Sequence, residues 1–278
     1  MSAPALWTLL ASHWELSWWL ELEAAIIAGL YVWASRRGRS RWPRHRTLAF
    51  LAGIGCVLVA LQSGIDAYDD RLLSVHMVQH TLLLLFAPGL LLAGRPVTVA
   101  LRALPARSRA RLAVALKRSR PLTRPVVCLA VFNVVLLGTH LPAFYDATVS
   151  HPMLHDGEHM LYILAGLLLY WPLLGAEPAP SRRLGGLGRL IYMLAAMPAM
   201  ALIGAYLNRQ PTLVYAVYGP PAHALRISAL SDQAQAGAIM WVLGSVVMTA
   251  VGIWSALAGL IAEERRQQLA DVRSGVAS

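Results

Sequence analysis

Charge is what this sequence has least of. Asp, Glu, Lys and Arg together make up 14% of the 278 residues, where a soluble domain carries about a quarter. That scarcity excludes a water-bounded globule. With 57% hydrophobic residues and a mean hydropathy of +0.55, the surplus apolar surface must face lipid. Lys117 is the only lysine and lies between apolar runs, so no span offers a Schiff base and a retinal protein is excluded. Cys56 and Cys128 sit in separate apolar runs with no CxxC partner and no second thiol at metal spacing, so they give no sign of a disulfide framework and read as small buried thiols. P-loops, Gly-rich phosphate motifs and paired nucleophile–base sets are also missing, so no enzymatic activity is expected. Residues 1–14 lack a basic n-region, and Glu15, Glu21 and Glu23 follow where a signal peptide needs an apolar core.

What is there is a succession of apolar runs. A membrane-crossing helix needs about 20 of them in a row. Seven segments meet that length: 17–35, 47–65, 73–93, 123–141, 154–174, 187–207 and 233–261. The expected fold is therefore all-α: a polytopic bundle of seven transmembrane helices, one membrane domain over 1–278 with a cytoplasmic tail at 263–278. Pro88, Pro172 and Pro198 fall inside spans and are expected to kink them.

The formal charge of +10 does not point to nucleic acid, because the basic residues are gathered in short runs between spans. The first loop carries Arg36, Arg37, Arg39, Arg41, Arg44 and Arg46. The third carries Arg95, Arg102, Arg107, Arg109, Arg111, Lys117, Arg118, Arg120 and Arg124. Arg182, Arg183 and Arg189 follow in the fifth, and Arg265, Arg266 and Arg273 in the tail. These alternate segments hold 21 of the 24 basic residues, leaving Arg71, Arg209 and Arg226 opposite. By the positive-inside rule the basic side is cytoplasmic, which puts the amino terminus outside and the carboxyl terminus inside. Between Arg102 and Arg120, leucines and alanines alternate with arginines. That pattern suits either an amphipathic helix on the anionic leaflet, with membrane lipids as partners, or a solvated basic loop.

Eight of the nine histidines fall on the other, outer side; His45 alone lies among the cytoplasmic arginines. His76 and His80 stand four apart in the third span, and His155 and His159 four apart in the fifth. Such spacing puts both rings on one helix face, as in zinc-binding HxxxH helices. His140 closes the fourth span at the same level. His151 precedes Pro152, which suits a first helical turn, so it falls just outside the fifth span. His13 and His223 are more isolated. Imidazole suits copper, zinc or iron; Met77, Met153, Met160 and Met240 would favour Cu(I), although methionine is also ordinary apolar filling. Asp232 and Gln233 either cap the seventh span after Ser231 or orient a ligating imidazole, and Asp66 has the second role open to it as well. Interfacial histidines bound only to water and backbone are the plain alternative.

The string His76-Met77-Val78-Gln79-His80, then Ala87-Pro88 and Gly94-Arg95-Pro96, resembles the CtaG family of caa(3)-type cytochrome c oxidase assembly factors. So do Thr139-His140-Leu141-Pro142 with Tyr145, the His155…His159 span ending in Trp171-Pro172, and Asp232-Gln233…Gly237…Met240-Trp241. The likeness runs over about residues 20–260. It implies a multi-pass protein of the bacterial cytoplasmic membrane that assists copper insertion into a haem-copper oxidase. Its implied partners are the oxidase catalytic subunit and an extracytoplasmic copper chaperone. The histidines that match the family's motifs are His76, His80, His140, His155 and His159. A single-haem cytochrome and a metal transporter remain the competing readings. The first would show a Soret band. The second needs polar groups through the bilayer centre, where little stands beyond Asn133, the cysteines and some methionines.

Overall fold

The computed structural model describes residues 13–37, 41–174 and 184–274. Arg39, Arg182 and Arg183, the side chain of Arg273 and most of the segment read for a signal peptide lie outside the described residues. Those described form helices and connecting turns, with no strand among them. We number the helices in chain order: α1 Trp18–Arg36, α2 Arg44–Gln62, α3 Asp66–Asp69, α4 at residues 73–93, α5 Pro96–Ala103, α6 Ala106–Arg118, α7 Pro125–Thr139, α8 Pro142–Ser150, α9 Pro152–Leu174, α10 Gly186–Arg209, α11 Gly219–Ala224 and α12 at residues 229–274. A single 3-10 turn, Ala216–Tyr218, precedes α11.

Five helical stretches are long and apolar enough to cross a membrane: Arg44–Gln62, Leu73–Ala103, Pro152–Leu174, Gly186–Arg209 and Ala229–Val272. A sixth is reached if α7 and α8, bent by 74° at residues 140–141, form one broken span. The fourth expected span therefore ends early. At about 1.5 Å per residue, the 15 residues of α7 cover only about 22 Å, and the chain turns at His140 before Pro142 starts α8. The first expected span, α1, falls short of the same standard because Glu21 and Glu23 occupy its opening turns.

Two helices carry a turn of wide, π-type winding: α4 at Leu82–Phe86 and α12 at Ile239–Leu243. The first has a cause in the sequence. Pro88 has no N–H to give the carbonyl of Leu84, four residues back, and its ring crowds that oxygen. The helix widens there rather than simply kinking. The released Leu84 carbonyl meets α9 at Gly166, where an added Cβ would come within 2.1 Å of it and 2.6 Å of Pro88 Cγ. Small residues allow the other close crossings too. Gly204 of α10 and Gly237 of α12 face one another, and Gly53 of α2 admits Leu91 of α4. The core between these crossings is unusually aromatic: Tyr145, Tyr162, Tyr170 and Phe132 are almost wholly buried.

At the basic end, Tyr31 of α1 stacks on Phe50 at 3.9 Å between ring centroids and donates to the Gly94 carbonyl at 2.6 Å. Of the two readings open for residues 102–120, the helical one holds over α6, which has no buried residue. The bundle thus has one arginine-rich end and, at the start of α4 and α9, an end where histidines gather.

Candidate metal centre

Helices α4 and α9 each present a histidine pair one turn apart, and the pairs face one another. His76 Nε2 and His80 Nε2 are 2.7 Å apart. Ring centroids are 5.0 Å apart for His76–His155, 5.9 Å for His80–His159 and 4.3 Å for His155–His159. Two triads have their ligand atoms within 4.8 Å of one another: His76, His80 and His155, and Asp69, His155 and His159. His76, His80 and His159 are buried, while His155 is half-buried and lies nearest the outside.

The surrounding hydrogen bonds decide which nitrogens keep a lone pair. Tyr218 donates its one hydroxyl proton to the Asp69 carbonyl at 3.0 Å, and its oxygen lies 2.8 Å from His76 Nδ1. A neutral His76 then carries its proton on Nδ1, and its Nε2 keeps a lone pair turned into the cluster, where in the metal-free protein it accepts from His80 Nε2 at 2.7 Å. On the other side Gln79 gives its amide nitrogen to Ala60 O at 3.0 Å and to Asp66 Oδ1 at 3.2 Å. Both are acceptors, so Gln79 Oε1 is the atom 3.1 Å from His159 Nε2. His159 therefore donates from Nε2 and keeps Nδ1 bare. Fixing an imidazole through its other nitrogen is how proteins prepare metal ligands. Losing such an outer partner typically costs about 10–100-fold in metal affinity. Tyr218→Phe, which removes the nearer acceptor for His76 Nδ1 and leaves only the Asp69 carbonyl at 3.3 Å, should weaken binding of a metal ion by about tenfold in a competition titration with a chromophoric chelator.

Beside His80 lies a narrow cavity of ≈ 10 Å³, lined by Met77, Met200, Met240, His80, His140 and Tyr162 among others. His140 donates from Nδ1 to the Leu136 carbonyl at 2.8 Å, so its bare atom is Nε2. That atom is buried without a partner, as is His80 Nδ1. An unpaired buried polar atom costs about 1–3 kcal/mol. The arrangement has a use if these atoms receive a cation. Imidazole nitrogens beside three thioethers are a soft donor set that fits Cu(I) better than zinc.

Acids frame the outer side. Burial, reinforced by the neighbouring carboxylate of Asp66, pushes Asp69 up to about 8; burial and then Glu15 push Asp66 up to about 6. Asp69 Oδ2 lies 3.7 Å from His155 Nε2. Because both acids hold their protons more tightly folded than unfolded, the metal-free protein should lose stability as pH rises from about 4 through 8. A cation reaching Asp69 must displace a proton below about pH 8, so affinity should rise with pH between 6 and 8. Asp69→Asn should flatten that slope, read from the same chelator competition at four pH values.

Several residues expected at the site stand elsewhere. His151 is exposed and bonded to the Ala147 carbonyl at 2.9 Å, and Met160 is 57% exposed, outside the cluster. Asp232 accepts from the Ser74 hydroxyl and amide, tying α12 to α4 rather than orienting an imidazole. The helix cap is Ser228, three residues before Ser231. Gln233 clamps the 207–214 turn through Val214 N at 2.7 Å and Thr212 O at 3.1 Å. Asp66 reaches His159 only through Gln79. His13, His45 and His223 are exposed and apart from the cluster. Sequence reasoning missed Asp69, Gln79 and Met200 as site residues, and Tyr218 altogether. Asp69 stands close in the chain, seven residues before His76 at the end of α3; Tyr218, 142 positions away, carries no signal.

The chain is thus a polytopic helical membrane protein with opposed imidazole pairs buried near one end of its bundle. Residues 29–259 match the family model for the cytochrome c oxidase caa3 assembly factor (Caa3_CtaG), and the chain belongs to that family. Uncharacterised proteins of Mycobacterium bovis and Mycobacterium tuberculosis are each 32% identical over 230 residues, which is 78% of this chain and 34% of theirs. One from Mycobacterium leprae is 31% identical over 216 residues, 74% of this chain and 33% of its own. The chain therefore spans about a third of the length of the curated relatives it matches. No solved structure matches it significantly.

Proposed function

We propose that this protein receives copper as Cu(I) on its outer histidine cluster and passes it to the catalytic subunit of a haem-copper oxidase during assembly. The observation that carries the reading is the meeting of His76, His80 and His155 from two helices, with the bare nitrogen of His76 fixed by Tyr218. Half-buried His155 is the entry ligand, fed by an extracytoplasmic copper chaperone. His76 and His80 hold the ion, and the Met77, Met200, Met240 and His140 cavity offers softer donors below. Copper is cargo here, moved by exchange of one ligand for the next, so no bond in it is made or broken beyond coordination.

The same proposal includes the topology: seven spans in a bacterial cytoplasmic membrane, amino terminus outside, histidines outside, arginines inside. Support for counting α1 comes from its exposed apolar face of Leu22, Ile26, Ile27, Leu30 and Trp33, which needs lipid. A haem is the weaker cargo, because rings with centroids 4.1–5.9 Å apart leave no space for a macrocycle between them. Metal analysis of protein purified without an affinity histidine tag tests the reading. About one copper per chain is expected after Cu(I) loading; zinc alone, or no metal, would overturn it.

A further inference from the structure

At the end of the bundle away from the cluster of His76, His80, His155 and His159 lies a cavity of ≈ 590 Å³. Its walls bring together Arg46 from the first turn of α2, Arg95 from the break after α4, Arg189 from the first turn of α10 and Arg266 from the last turns of α12. Among the described lining residues Glu263 is the one carboxylate, and its Oε1 already accepts from the Gly186 amide at 3.1 Å. Four arginines around one described carboxylate give the cavity a positive potential that favours an anion. One of these guanidiniums is anchored, and another of these residues is held by a strained backbone. Arg189 is anchored on the carbonyls of Leu184 and Ser255, both at 3.2 Å. Arg95 sits in the left-handed region at φ 51°, a conformation that strains a residue with a Cβ and that glycine would adopt freely.

Beside His45, the rest of the wall is built mainly of apolar residues such as Leu92, Pro172 and Ala258, and it continues onto exposed Trp254 on the outside of α12. A small soluble oxyanion has no use for that surface. A molecule with a phosphate head and a hydrocarbon body does, and basic pockets between helices at the cytoplasmic face are where such heads bind. We propose that this cavity is a specific site for an anionic phospholipid. Its headgroup phosphate is gripped by Arg46, Arg95, Arg189 and Arg266, and its acyl chains leave past Trp254. The site is independent of the copper cluster and stands or falls separately.

Native mass spectrometry of the detergent-purified full chain, with added cardiolipin, phosphatidylglycerol, phosphatidylcholine or inorganic phosphate, tests it. One anionic lipid per chain should be retained, at least tenfold more tightly than phosphatidylcholine. Arg95→Gly removes a guanidinium while relieving the backbone, so it should fold as well and lose at least tenfold in lipid affinity. Glu263→Gln keeps the acceptor for Gly186 but removes the opposing charge, and should bind the lipid more tightly. Both variants should keep the copper stoichiometry of the unaltered protein. Equal retention of phosphatidylcholine, unchanged lipid affinity in both variants, saturation by inorganic phosphate alone, or an acidic peptide occupying the cavity would each overturn the proposal.

Discussion

Replacing His76 by alanine should lower Cu(I) affinity by about 100-fold or more, so that the purified variant keeps less than a tenth of the copper held by the unaltered protein. The loss exceeds that expected for an outer partner because His76 is itself a member of the first triad and joins rings from both helices to Tyr218. Its Nε2 meets His80 at 2.7 Å, its ring lies 5.0 Å from His155, and its Nδ1 is held by Tyr218. Removing it takes a ligand from the first triad and leaves the Tyr218 hydroxyl with a vacant partner in a buried setting. His155→Ala should have a similar effect with a different signature. His155 is the half-buried member, so its loss should slow copper loading as well as weaken binding. His223→Ala serves as the comparison, since that exposed ring lies apart from the cluster and its loss should leave copper unchanged. Stopped-flow loading together with equilibrium chelator competition separates the two effects.

Gly166→Val is the second change with a large expected effect, and it acts through the fold. At this crossing even a Cβ would meet the Leu84 carbonyl at 2.1 Å and Pro88 Cγ at 2.6 Å. Both are backbone or ring atoms that cannot swing aside. Overpacking of this kind costs about 1–3 kcal/mol and occasionally more, and here two helices must separate to relieve it. Because α4 carries His76 and His80 while α9 carries His155 and His159, the separation should also pull the imidazole pairs apart. A thermal melt in detergent should fall by several degrees, and copper binding should weaken even in the fraction that remains folded. Gly29→Val is the control, because an added Cβ there meets nothing within 4 Å.

The comparison of sequence with structure turns on how far apart the interacting groups stand in the chain. His76 with His80, and His155 with His159, are legible because a helix places residues four apart on one face. That the two faces oppose one another is a tertiary fact. It depends on Gly166 admitting Leu84 and on Pro88 releasing the Leu84 carbonyl, which no periodicity states. The same holds for Tyr218 and Gln79: the hydrogen bonds that decide where each imidazole keeps its proton join α4 to a turn 142 residues on and to α9, 80 residues on. Asp232 and Gln233 show the opposite failure. They sit in a motif and are buried, yet their bonds to Ser74 and to the 207–214 turn spend their polar atoms on holding helices together. Met200 was unreadable beside eight other methionines, since its place in the cavity comes from α10 packing against the wide turn of α12. Among the spans, hydropathy located the long helices but placed the fourth through residues where the chain turns by 74°, because a run of apolar residues does not say where it bends.

The most direct test of copper transfer is the copper content of the partner oxidase itself. Cells would carry either the unaltered chain or a His76→Ala/His155→Ala double variant at equal membrane levels, and the haem-copper oxidase would be purified from each and analysed for haem and copper. The account predicts an oxidase from the variant cells with its haem present and its copper largely missing, restored in part by excess copper in the medium. An oxidase with full copper from cells carrying the double variant would contradict it.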